Sequence, residues 1–173
     1  MWRRGDGHFY FTTLAEGGIG LWRSTDDCRS FAAVGPVHEG SSDDKELMAV
    51  DNDASSPFFG RLYVVWTDFG AGGIAAAVSA DGGATWSSPV RVSPPNTSVQ
   101  GAWPVVAPGG ELFVAWTRFA SGRVSIHAAR SSDGGRSFHQ LAPVATLRST
   151  VPLRNSGTAT LGSEPQQAHG AGE

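Results

Sequence analysis

The segment Asp43-Asp44-Lys45-Glu46 sets three carboxylates beside an amine, the residue types from which general acid–base chemistry is built. Asp68 adds a further carboxylate. Arg118 and Arg123 add guanidinium groups, whose planar fork suits an anionic oxygen ligand. Trp103 completes this set as a candidate for substrate contact. The favoured reading of the charged residues among them is nonetheless as ordinary solvated loop charges, since such side chains are mostly exposed in any fold. Asp51-Asn52-Asp53 offers hard oxygen ligands of the kind Ca²⁺ takes, yet it lacks the full spacing and the glycine of a calcium loop. A capped turn explains that triplet as well. The five histidines show no metal-ligand spacing, and the single Cys28 excludes an internal disulfide and a cysteine-based zinc site. No metal is therefore expected, with Ca²⁺ the one cofactor that has any donor set.

A different group of polar residues recurs in register. Ser79-x-Asp81-x-Gly83-x-Thr85-Trp86 and Ser131-x-Asp133-x-Gly135-x-Ser137-Phe138 share one pattern. Ser24-x-Asp26 to Ser30-Phe31 is a third copy, with Asp27 and Cys28 where the others carry glycine. Asp followed by glycines permits the positive φ of a tight hairpin, and the Asp and Ser/Thr oxygens can accept that turn's backbone N–H groups. The closing aromatic has a large apolar face to bury against a neighbouring unit. These aspartates are read as turn staples, not catalysts.

A second feature keeps step with the first. Gly7-His8-Phe9-Tyr10, Gly60-Arg61-Leu62-Tyr63 and Gly110-Glu111-Leu112-Phe113 each open a β-type run. The unit is about 50 residues long, the length of a four-stranded propeller blade. The second copy predicts strands near Glu46–Asp51, Arg61–Asp68, Gly73–Ala80 and Ser88–Ser93. The third predicts Trp103–Ala107, Glu111–Arg118, Arg123–Ser131 and Phe138–Val144. The first predicts His8–Thr13, Gly18–Ser24 and Phe31–Gly35, with its opening strand expected before Met1. The 23 Gly and 10 Pro are spread too evenly for a helical domain. A net charge of −3 leaves no electrostatic footprint for nucleic acid. No apolar stretch approaches the roughly 20 residues of a membrane span.

The repeated Ser-x-Asp-x-Gly-x-Thr-Trp pattern resembles the Asp-box, or bacterial neuraminidase repeat, of sialidase-like β-propellers. The resemblance covers residues 1–145 and implies an all-β partial propeller of four-stranded antiparallel blades with Asp-box hairpins. The blades fall at about 1–36, 44–93 and 101–145, and 146–173 is expected to be a polar tail without persistent structure. Such a short arc leaves apolar end faces, so the expectation is a fragment, a truncated reading frame, or half of a ring closed by self-association.

The resemblance implies a tyrosine nucleophile, a general-acid Asp and three arginines gripping a substrate carboxylate. Tyr10 and Tyr63 occupy the position at which the third copy has Phe113, which suggests packing. The family's Arg-Ile-Pro motif is absent from the visible first strands. The family's binding face lies away from the boxes. Asp43, Asp44, Lys45 and Glu46 are expected there on one inter-blade connection, Trp103 at the end of another, and Asp68, Arg118 and Arg123 on loops between second and third strands. The functional expectation is a segment of an exo-sialidase or related glycoside hydrolase acting on terminal sugars, with this chain alone inactive. The alternative is a non-catalytic propeller module that binds a glycan or a protein. A glycan or glycoconjugate is the expected partner, without nucleic acid or membrane. Family members are often exported, but no secretory signal precedes the repeats, and the compartment stays unassigned.

Overall fold

The computed structural model describes residues 1–120 and 123–147. Thirteen strands and no helix occur among the described residues. They form three antiparallel sheets in chain order. The first contains β1 (Trp2–Arg3), β2 (His8–Ala15), β3 (Gly18–Ser24) and β4 (Ala32–Glu39). The second contains β5 (Asp43–Val50), β6 (Leu62–Asp68), β7 (Gly73–Ser79) and β8 (Val90–Arg91). The third contains β9 (Ser98–Val106), β10 (Leu112–Ala120), β11 (Arg123–Ser131) and β12 (His139–Gln140), with β13 (Ala145–Leu147) also pairing β11. No helix long and apolar enough to cross a membrane is present among the described residues.

The middle sheet explains the sequence of β6, Leu-Tyr-Val-Val-Trp-Thr-Asp, in which all but the last residue are buried. Side chains alternate faces along a strand, so a continuous apolar run needs cover on both sides. Leu62, Val64 and Trp66 face the first sheet and pack with Tyr10, Ile19, Leu21 and Val37. Tyr63 and Val65 face the third and pack with Val99, Leu112, Val114 and Trp116. Each fully buried Val or Leu is worth roughly 1.5–3 kcal/mol of transfer free energy. The alanines of β7, Ala75 and Ala77 on one side and Ala76 on the other, let the neighbouring sheets approach closely.

Three sequence expectations change. The first sheet's opening strand lies inside the chain, as Trp2–Arg3 paired with Phe9 and His8. It is too short to carry a periodic signal. The single strand expected over Phe138–Val144 is instead two short pieces flanking Pro143, which has no N–H to give to a ladder. β5 and β9 both begin earlier than expected, at Asp43 and Ser98. The tail from residue 148 onward lies outside the described residues.

Candidate functional site

Strand register fixes two ends of the molecule. Asp43, Asp68 and Gly73 are in line at one end of the middle sheet, and Val50, Leu62 and Ser79 at the other. The Ser-x-Asp turns follow Ser24, Ser79 and Ser131 at the second end. Within the middle turn Ser79 Oγ donates to Asp81 Oδ1 at 2.8 Å and accepts the Gly83 N–H at 2.8 Å. Asp81 also accepts the Thr85 N–H at 2.9 Å and the Thr85 hydroxyl at 2.5 Å. Asp26 and Asp133 repeat this pattern with Ser30 and Ser137. The Thr85 hydroxyl and N–H hold Asp81 down at about 2, and Ser30 does the same for Asp26. Asp133 is pushed up by burial, but its bonds from Ser137 and Ser131 outweigh that and bring it to about 2. Both carboxylate oxygens of each Asp are thus engaged inside its own turn, one by backbone N–H and the other by the Ser or Thr hydroxyl.

Two matching bulges shape the innermost strands. Pairing runs from Asp44↔Thr67 to Leu47↔Val65, so Lys45 and Glu46 together oppose one residue of β6. In the third sheet it runs from Gln100↔Thr117 to Trp103↔Ala115, and Gly101 and Ala102 are the extra pair. Gly101 takes φ 70 there, and Lys45 takes φ 52 at the equivalent place. A bulge re-aims the side chains beside it. A left-handed lysine is backbone strain that the surrounding pairing has to hold.

Beside these bulges lies a cleft of about 420 Å³ lined by Lys45, Glu46 and Leu47 of β5, Gly101 and Trp103 of β9, Ala115, Trp116 and Thr117 of β10, and Ile126 of β11. Trp103 is 62% exposed and Leu47 is exposed beside it. An apolar concavity with a few polar groups at its edge is the usual form of a small-ligand site. Burial pushes the Glu46 carboxyl above the usual range, Asp44 adds to that, and the Leu14 backbone partly offsets it.

The expected residues therefore divide. Lys45, Glu46 and Trp103 come together in one cleft. They do so from within strands, because β5 and β9 start before them, and not from the inter-sheet connections where they were expected. Asp43 is engaged elsewhere: its side chain is 2% exposed and its Oδ2 lies 2.8 Å from His38 Nδ1, while the His38 ring stacks on Trp66 at 5.0 Å. Asp44 accepts a hydrogen bond from Gln100 at 2.8 Å and so ties two innermost strands together. Asp68 caps its own turn by accepting the Ala71 N–H at 2.7 Å. Arg118 lies in β10, where its charge, after burial, helps to lower the pKa of His127. Arg123 opens β11 and is exposed.

Neither tyrosine reaches the cleft. Tyr10 is 1% exposed and donates to Asp6 at 2.8 Å, while Tyr63 is fully buried and its phenol is pushed up to about 12 by that burial. The Asp51 to Asp53 segment forms a knot of turns. Asp51 accepts from Ser56 Oγ and the Asp53 N–H, and Asp53 accepts from Ser55 and from the Gly109 N–H at 2.7 Å. No group of three or more His, Cys, Asp or Glu side chains among the described residues is placed to hold a metal ion. Sequence reasoning missed Leu47, Gly101, Thr117 and Ile126 as cleft walls. Gly101 inside a strand-like run was the available signal, since an isolated strand glycine marks a bulge.

Stacked four-stranded antiparallel sheets of this kind are the blades of a propeller, here of the sort found in glycoside hydrolases. No protein-family model and no curated protein matches the chain. Solved structures do match its fold. The Hadza microbial sialidase aligns with TM-score 0.59 at 17% identity, over 83% of this chain and 36% of that one. The intramolecular trans-sialidase of Ruminococcus gnavus aligns with TM-score 0.57 at 18% identity, over 73% of this chain and 26% of that one. An α-L-arabinofuranosidase of Fusarium graminearum aligns with TM-score 0.61 at 11% identity, over 85% and 47%. The chain thus spans between about a quarter and a half of the length of these structures.

Proposed function

We propose that this chain supplies part of the sugar-binding face of a sialidase-like Asp-box propeller of the glycoside hydrolase type, and that by itself it binds a terminal sugar without hydrolysing it. The observation that carries this reading is the cleft in which an exposed Trp103 meets Lys45 and Glu46. An exposed indole gives a sugar's apolar face a flat surface to cover, and Lys45 places positive charge at the rim for an acidic sugar. Glu46 adds a carboxyl to the cleft wall, raised by burial above its usual range. Both tyrosines support the part of the proposal that concerns turnover, since a phenol buried between sheets cannot reach a sugar as a nucleophile. That same observation favours the non-catalytic binding module as the second reading.

The test is a tryptophan-fluorescence titration of the purified chain with sialyllactose and with lactose, alongside a fluorogenic sialoside assay. Saturable quenching by sialyllactose, lost in Trp103→Ala with an unchanged circular dichroism spectrum, is the expected result. Quenching that survives Trp103→Ala would remove the cleft from the site. Sialoside hydrolysis above the blank would overturn the statement that the chain only binds.

A further inference from the structure

The register of the third sheet gathers a second group of reactive side chains outside the cleft. In the ladder between β10 and β11, Trp116 pairs with His127 and Arg118 with Ser125. Directly paired residues share a face of a sheet, and so do residues two apart on one strand. Ser125, His127 and Arg118 therefore project on the side on which Trp116 enters the core shared with the second sheet. All three are half-buried, neither sealed in that core nor freely solvated.

Ser125 Oγ lies 2.9 Å from His127 Nε2, within the reach over which a nucleophile gives its proton to a base. With the ring proton on Nδ1, Nε2 is the acceptor and the serine hydroxyl donates to it. The Trp116 indole braces the imidazole from one side, with ring centroids 6.2 Å and planes 22° apart. Burial lowers the His127 pKa from its ordinary value, and the Arg118 charge lowers it further. The ring is then neutral at neutral pH, the state a general base needs. Arg118 also stands opposite Ser125 across the ladder, on the side where the oxygen of an attacked carbonyl would become negative. Once that negative charge has formed beside the guanidinium, it offsets the repulsion between Arg118 and a protonated His127.

We propose that Ser125 is a nucleophile toward short carboxylic esters, with His127 as its general base and Arg118 as the donor to the oxyanion. Ser125 Oγ bonds to the carbonyl carbon and passes its proton to His127 Nε2, while the carbonyl electron pair moves to the oxygen beside Arg118. That pair returns, the bond to the leaving alcohol breaks, and the alcohol oxygen takes the proton from His127. Water activated by the same imidazole then cleaves the acyl-serine, which releases the carboxylic acid and restores Ser125. One ester and one water thus give one acid and one alcohol. The acyl group is short because half-buried side chains admit little bulk. This activity does not rest on sugar binding, since Trp103, Lys45 and Glu46 take no part in it.

The test is incubation of the full chain with p-nitrophenyl acetate. Because this ester also acylates amines, the adduct is located by peptide mass spectrometry after an acid quench. Steady nitrophenolate release above the blank, with the acetyl group on Ser125, is the expected result. Ser125→Ala is expected to remove both. His127→Ala should slow release by about 10²-fold or more, and Arg118→Ala by about 10²–10³-fold, each with an unchanged circular dichroism spectrum. Ser98→Ala, at an exposed serine of β9, should change nothing. Labelling of the unmutated chain by a fluorophosphonate, expected at Ser125, needs no variant to fold. The proposal falls if release does not exceed the blank, if the fluorophosphonate leaves Ser125 unmodified, or if folded Ser125→Ala releases nitrophenolate as fast as the unmutated chain.

Discussion

Substituting Gly83 by Ala tests the seat between the first two sheets. Gly83 has φ 88 and a Cβ there would meet Leu21 Cδ2 at 2.1 Å. A leucine tip often yields by rotating, but Leu21 is 1% exposed and is packed in the shared core, so it has no free volume to enter. Holding an L-residue in the left-handed region costs roughly 1–2 kcal/mol. Overpacking a closed core adds roughly 1–3 kcal/mol, for a total of about 2–5 kcal/mol. At about 2–4 °C per kcal/mol for a chain of this size, the melting midpoint should fall by roughly 4–20 °C. Gly109 provides the control, since it has φ 86 and nothing within 4 Å of its Cβ position. Gly109→Ala therefore carries only the backbone part, about 1–2 kcal/mol. The assay is urea unfolding of both variants, followed by circular dichroism and by fluorescence. Equal destabilisation of the two would refute the reasoning, because the turn would then not be inserted against Leu21.

Three further outcomes follow from other sites. Asp26, Asp53, Asp81 and Asp133 are all held near 2 against an ordinary 3.8, so the unfolded chain binds protons more readily than the folded one. Their stabilisation is complete above about pH 4 and is lost as pH falls towards 2; Asp81→Asn should flatten that acid limb in pH-dependent melting. Lys45→Gly should relieve the left-handed strain at φ 52 and raise the melting midpoint by a few degrees, roughly 1 kcal/mol, while weakening binding of an acidic sugar in the same titration. Trp116→Phe, in a buried site stacked on His127, should cost about 1–3 kcal/mol by leaving a cavity against Val99 and Leu112, read as a lower urea midpoint with unchanged slope.

The fold was legible because its unit is written three times. Ser-x-Asp turns at similar intervals and β runs such as Leu62–Asp68 carry composition, periodicity and turn chemistry that all point to one architecture. The site was legible only in part, for a physical reason. Lys45, Glu46 and Trp103 were picked out by residue type, but what joins them is a pair of bulges, and a bulge changes pairing by one residue without altering the alternation much. Lysine in the left-handed region at position 45 gives no signal in the sequence, whereas Gly101 at the equivalent place gives a weak one. Asp43 shows the opposite failure. As a loop carboxylate it is a natural catalyst candidate, and only the placement of His38 and Trp66 from other strands reveals that it is buried and engaged.

The cleft and one face of the third sheet are coupled. Trp103 and Val105 lie on a face of β9 that no sheet among the described residues covers, and Trp103 also lines the cleft. A blade packed there would do two opposite things at once. It would remove Val105 and part of Trp103 from water, a gain of roughly 25 cal/mol for each Å² of apolar surface. It would also add a wall to the cleft, which raises the cost of desolvating Lys45 and Glu46 and lowers the local dielectric in which they act. The Glu46 carboxyl, already pushed up by burial, would then move further in the same direction. Sugar affinity and its pH dependence should therefore change wherever another β-sheet packs over this face. Both should stay as they are in the isolated chain if the face stays open.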